Sequence, residues 1–183
     1  MLFRSLDELL ATCDAFKEAG VENPITFGNQ FGWPAIHFMT QLNVYFVPPE
    51  TIASDYDPAT GEFTDPGYLA ALQAFSDINE HCLTPGSNGI AHSNAQAMFL
   101  TGQSPMHYLE AVEFEVLQEE NGAPPEIAAN WDFTKLPPPA DAAGDPGALE
   151  GAPDGFLVNP SSEHPEIAVD FLKFLTSLEN AQK

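Results

Sequence analysis

Basic residues are the scarcest feature of this sequence: 5 lysines and arginines face 27 aspartates and glutamates, a formal net charge of −22 over 183 residues. A surface so poor in cations repels phosphate backbones, which argues against a nucleic-acid partner. The imbalance comes from missing bases rather than surplus acids, because charged residues are only 17% of the chain, below the usual ~25%. Long apolar runs are absent too. None approaches the roughly 18 residues of a membrane-spanning helix, and MLFRSLDELL, residues 1–10, lacks the apolar core of a secretory leader. Taken alone, that start fits an intracellular chain or one whose true beginning lies upstream. Two cysteines, Cys13 and Cys82, are too few for a disulfide framework, and Cys13 is expected to be a buried free thiol on a helix face.

Familiar chemical signatures are missing as well. No G-x-S-x-G, G-x-x-x-x-G-K-[ST] or G-x-G-x-x-G occurs, so nucleophile-elbow hydrolysis and the standard nucleotide cradles lose their markers. The five histidines, His37, His81, His92, His107 and His164, are scattered without the paired spacing of a metal site. Asp55-x-Asp57 fails the remaining ligand spacing of a calcium loop and reads as part of a turn. No metal or cofactor is therefore expected. Glu110, Glu113, Glu115, Glu119 and Glu120 fall on one expected helix and read as its solvated face rather than as an acid/base pair.

What is present describes a folded chain. Hydrophobic residues make up 44% and aromatics 11%, enough for a core in one domain or a large domain plus part of another. Ser5-Leu6-Asp7-Glu8 is a capping box that opens a helix running to Gly20. Pro24 to Gly28 reads as a strand, and Trp33-Pro34 opens a helix to about Asn43. Residues 54–67 read as a hairpin, and Asp65-Pro66 begins a helix to about His81. Ala97 to Thr101 reads as a buried strand that ends in the turn Gly102-Gln103-Ser104, with Ser104-Pro105 starting a helix to about Asn121. Trp131 to Thr134 and Gly155 to Asn159 read as further strands, and a helical stripe begins near Pro165.

Strands that alternate with helices predict an α/β fold with a largely parallel sheet, whose ligands bind beyond the C-terminal strand ends. Three loops are expected there: residues 29–32, residues 102–104 and the region of Asp154-Gly155. Asn29, Gln30, Phe31 and Trp33 in the first loop, with Gln103 and Ser104 in the second, supply the aromatic faces and polar partners that hydroxylated ligands need. Trp33 also fits a residue packed into the core at a helix start.

The order of motifs resembles that of the bacterial extracellular solute-binding proteins that deliver carbohydrates to ABC transporters, the group that includes maltose-binding protein. The matching features are F-K-E-A-G at 16–20, P-I at 24–25, W-P at 33–34, T-D-P-x-Y-x-x-A-L at 64–72, A-M at 97–98 with a G-x-x turn at 102–104, and A-x-x-F-L-K-F-L-x-S-x-E at 168–179. The resemblance implies a periplasmic-binding-protein-like lobe over residues 1–136, a crossover at 137–154, and the start of a return into the other lobe at 155–183. It implies a non-catalytic sugar carrier, periplasmic or extracellular and membrane-anchored in its intact form, which hands solute to ABC permease subunits. It also implies that this chain is mainly the second lobe, prone to self-association. Asn29, Gln30, Phe31, Trp33, Gln103, Ser104, Asp154 and Gly155 become the implied ligand contacts. Ser104 stands where many members carry a stacking Trp, which leaves room for a non-sugar solute. A glycan-active enzyme is the alternative that the acid excess suggests.

Overall fold

The computed structural model describes residues 3–151 and 155–181. Its contacts divide the chain into a first unit, residues 1–150, and a second, residues 151–183.

In the first unit, helix α1 (Leu6–Glu18) starts as its capping box dictates. The Ser5 hydroxyl accepts the Glu8 N–H at 3.2 Å, and the Glu8 carboxylate accepts the Arg4 N–H at 2.6 Å. Strand β1 (Ile25–Thr26) follows. Helix α2 (Trp33–Phe46) has Pro34 in its first turn, where the missing N–H has no intrahelical partner to lose. Helix α3 (Pro49–Asp55) comes next, then α4 (Pro66–His81), which Asp65 caps by accepting the Gly67 N–H at 2.8 Å. Leu6 and Leu9 of α1, Phe38 and Leu42 of α2, and Ala71 and Ile78 of α4 close one core with Ile25, Phe27 and Leu83.

The two cysteines are not free thiols. Cys13 faces inward as the helical pattern requires, but Cys82, the C-cap of α4, turns toward it and the two form a buried disulfide. Helices α1 and α4 pack against each other, so the bond joins elements already in contact.

Helix α5 (His92–Leu100) covers the run expected to be a strand. Ala95, Gln96, Ala97, Met98 and Leu100 are all strong helix formers, and nothing pairs with them as a strand. The strand lies one turn later, as β2 (Met106–His107). It pairs in parallel with β1, Ile25 beside Met106 and Thr26 beside His107, and Leu83 adds a parallel bridge to Ile25. The parallel direction matches expectation but the extent does not: the described residues are mostly helical around a two-stranded sheet.

No helix runs from 104 to 121. After β2 the chain makes 3-10 turns at Ala111–Leu117 and Glu119–Asn121, then the short helix α6 (Pro125–Ala128). Once Met106 and His107 are committed to the sheet, the segment enters its turn too late for a long helix. Glu115 and Glu119 would also repel at i, i+4. Residues 54–67 form no hairpin. The Asp55 carboxylate gathers the loop by accepting the N–H groups of Glu62 and Phe63 and the Tyr68 hydroxyl. Residues 131–134 and 155–159 are not strands, for among the described residues no ladder partner lies beside them.

The stretch read as a crossover is laid, up to Glu150, along the first unit. The Pro138 carbonyl accepts the Leu6 N–H at 3.0 Å, and the Leu136 carbonyl accepts the Tyr45 hydroxyl at 2.7 Å. Gly144 and Asp145 donate to the Tyr45 and Val44 carbonyls at the end of α2. Gln41 then holds both the Ala148 carbonyl, at 3.2 Å, and the Glu150 N–H, at 2.7 Å. The second unit carries helices α7 (Pro165–Leu175) and α8 (Leu178–Ala181). On α7, Ile167, Phe171 and Phe174 are exposed.

Candidate functional site

Parallel pairing gives β1 and β2 one direction, so both open onto the same edge. There β1 runs into Phe27-Gly28-Asn29 and β2 into Tyr108-Leu109-Glu110. Gly28 is required by close approach, since a Cβ at this position would sit 2.5 Å from the Ala91 carbonyl oxygen and 2.8 Å from His92 Cα. That contact brings the first residue of α5 to the same edge.

Trp33 occupies the centre. Its indole lies 4.7 Å from the His92 ring, 5.7 Å from His37 and 6.5 Å from Tyr108, centroid to centroid. The Tyr108 ring continues the aromatic wall to Phe38 at 5.0 Å and Phe27 at 5.8 Å. Burial, then the nearby carboxylates Glu110, Glu150 and Glu113, push the Tyr108 hydroxyl well above its ordinary pKa. Carboxylates surround the wall. His92 Nε2 meets both oxygens of Glu113, at 2.9 and 3.1 Å, and His37 lies between Glu110 at 3.0 Å and Glu150 at 2.8 Å. The turn after β2 is fixed by a reciprocal cap in which the Glu110 N–H donates to Glu113 Oε2 at 3.1 Å.

Beneath this layer His107 Nδ1 faces Thr26, 2.9 Å from the hydroxyl and 3.2 Å from the carbonyl. A nitrogen directed at a carbonyl carries the proton, so Nε2 keeps the lone pair, and that atom is buried without a partner. Burial lowers the His107 pKa to about 4, against a smaller opposing pull from the Thr26 hydrogen bond. His92 Nδ1 is likewise buried and unpartnered. Among the described residues no group of three or more His, Cys, Asp or Glu side chains is arranged to hold a metal ion.

The expected contacts separate into two groups. Phe31, Gln30 and Trp33 stand at this edge, with Phe31 72% exposed. Asn29 is there too, but its amide is committed: Oδ1 accepts the Ala35 N–H at 3.1 Å and Nδ2 donates to Asn88 Oδ1 at 2.7 Å. Gln103 and Ser104 lie at the other end of the strands. The buried Ser104 hydroxyl donates to the carbonyl of Pro24, just before β1, at 3.1 Å, and the exposed Gln103 amide reaches Thr101. The two turns thus occupy opposite rims, contrary to the expectation that they converge, because the strand lies after the 102–104 turn rather than before it. Asp154 falls outside the described residues, and Gly155 belongs to the second unit.

His37, His92, Tyr108, Glu110, Glu113 and Glu150 were not anticipated. The available signal was Pro105-Met106-His107-Tyr108: placing the strand there puts Tyr108 to Glu113 at its C-terminal exit.

A small parallel sheet wrapped by helices gathers polar and aromatic loops at one edge, the edge at which parallel α/β sheets generally bind ligands. The chain belongs to the bacterial extracellular solute-binding proteins, whose sequence profile matches residues 2–182. A solved structure from work on xylan utilization by the thermophilic bacterium Caldanaerobius polysaccharolyticus shares the fold, with a TM-score of 0.73 and 20% identity over 96% of this chain. This chain spans 44% of the length of that one. No curated protein matches it.

Proposed function

We propose that the chain is one lobe of a two-lobed carrier in an ABC-type carbohydrate uptake system, and that its half of the solute site is the Trp33 edge. The observation that carries this reading is the convergence of Trp33, Tyr108 and Phe31 with Glu110, Glu113 and Glu150 on one sheet edge. Aromatic faces suit the C–H surfaces of a sugar ring, and fixed carboxylates accept its hydroxyls. The xylan-utilization structure adds support for a carbohydrate, and a family of binding proteins supports capture without chemistry.

In this reading residues 1–150 form the lobe and residues 155–183 begin the return to its companion. The companion lobe would cover the apolar face of α7. Without it, that face favours self-association of the chain. Location in the periplasm or outside the cell, with a membrane anchor on the intact carrier and permease subunits as its partners, follows from the same role.

Calorimetric titration with xylo-oligosaccharides, malto-oligosaccharides and monosaccharides tests it. Saturable sugar binding that Trp33→Ala weakens at least tenfold is expected. Tight binding of another solute class with no response to any sugar would contradict the carbohydrate reading.

A further inference from the structure

His37 makes a contact that only one of its protonation states satisfies. Its Nε2 lies 3.0 Å from Glu110 Oε1 and its Nδ1 2.8 Å from Glu150 Oε1. With Glu110 and Glu150 ionised, each carboxylate only accepts, so both nitrogens must donate, and only the imidazolium has two N–H groups. A neutral ring would set a lone pair against one of the two anions.

The partners arrive from separate stretches of chain. Glu110 is the cap of the turn after β2, its own N–H held by Glu113. Glu150 is the last residue of the first unit, its N–H held by the Gln41 side chain one turn along α2 from His37. The three side chains are 16%, 33% and 18% exposed for His37, Glu110 and Glu150, so salt screens these pairs less than it would surface pairs. The other charged or titratable groups around them are Tyr108, whose hydroxyl feels both carboxylates, Glu113, which is engaged by His92, and Lys135, whose ammonium is bound to the carbonyls of Pro146 and Ala148. Among the described residues no lysine or arginine is paired with Glu110 or Glu150 in place of His37.

We propose that His37, as an imidazolium, is a positioning residue that sets the Glu110 and Glu150 carboxylates at the solute edge, so that the site is fully assembled while the ring carries both protons and loosens when it loses one. This rests on the Trp33 edge being the solute site. The second of these two charge-assisted bonds is made or lost with one proton, because a neutral ring keeps a single N–H. Its loss breaks the bridge that ties the turn after β2 to the end of the 144–150 strap.

The test has a ligand-free arm and a binding arm. In NMR titrations of the whole chain, the backbone amides of Glu110 and Glu150 are expected to move with the His37 ring at one shared midpoint. His37→Gln is expected to remove that step, whereas His81→Gln, at the separate Asp14 pair, leaves it. Glu150→Gln, which keeps the ring, is expected to uncouple Glu110 from Glu150. Amides that ignore the His37 titration overturn the inference whether or not any sugar binds. In the second arm, affinity for the best xylo-oligosaccharide is expected to fall roughly tenfold across the same midpoint, and to lose that step in His37→Gln. Unchanged affinity in the native chain overturns the positioning role. A shared step with no sugar bound at any pH upholds the clasp and removes the carbohydrate reading.

Discussion

His107 shows how one buried ring ties the sheet to pH. Its pKa is lowered to about 4 in the folded chain by burial, against about 6.5 when unfolded. Between those values the unfolded chain binds the extra proton, so stability rises with pH across the window and is lost as pH falls from about 6.5 toward 4. The linkage amounts to roughly 3 kcal/mol. Urea unfolding at several pH values should show this slope, and His107→Asn should flatten it while lowering stability at neutral pH. Equal slopes in the two proteins would contradict the assignment. Trp33 is the residue-scale test of the site. It is half-buried against two histidines rather than sunk in the core, so Trp33→Ala should weaken sugar binding far more than it lowers the denaturant midpoint. Neither histidine was visible as a site residue in the sequence, because both owe their positions to contacts between elements remote in the chain.

At the scale of elements, the helices with explicit start signals were legible. Ser5 with Glu8, Pro34 and Asp65-Pro66 begin α1, α2 and α4 where local chemistry demands. Ser5→Ala should cost about 1 kcal/mol, measured by urea unfolding. The sheet was harder to read, because a strand of two residues has no periodicity to detect. Ala97 to Thr101 and Met106-His107 are both short and mostly apolar, and only pairing with Ile25-Thr26 decides between them. Moving the strand by one turn exchanged the rim residues, which is why Gln103 and Ser104 lie at the opposite end of the strands from residues 29–33. Gly28 is the element-scale probe of the proposed edge. Gly28→Val would force β1 and α5 apart, because the obstructing atoms are backbone, and should cost several-fold in sugar affinity as well as stability. Stability loss without any loss of affinity would argue that α5 does not seat the site.

For the whole molecule, the disulfide is a covalent constraint on the fold. It closes a separation of 69 residues between α1 and the end of α4, which is worth about 4 kcal/mol on a chain-entropy estimate. Cysteine alkylation without reductant should add nothing to the mass, and reduction should lower the denaturant midpoint sharply. A bond of this kind accords with the oxidising setting of an extracellular family. The family itself was legible from motif order, since single motifs that are individually weak become specific when six follow one another. The pairing of Cys13 with Cys82 was not, because contact between α1 and α4 is a property of the packed core. The central claim is that solute meets the edge formed by Phe31, Trp33 and Tyr108 to Glu113. It is tested most directly by mapping amide and indole NMR shifts while a xylo-oligosaccharide is added to the chain. Shifts concentrated at residues 30–33, 37, 92 and 108–113 are predicted, with residues 102–104 silent, and the reverse pattern would contradict the account.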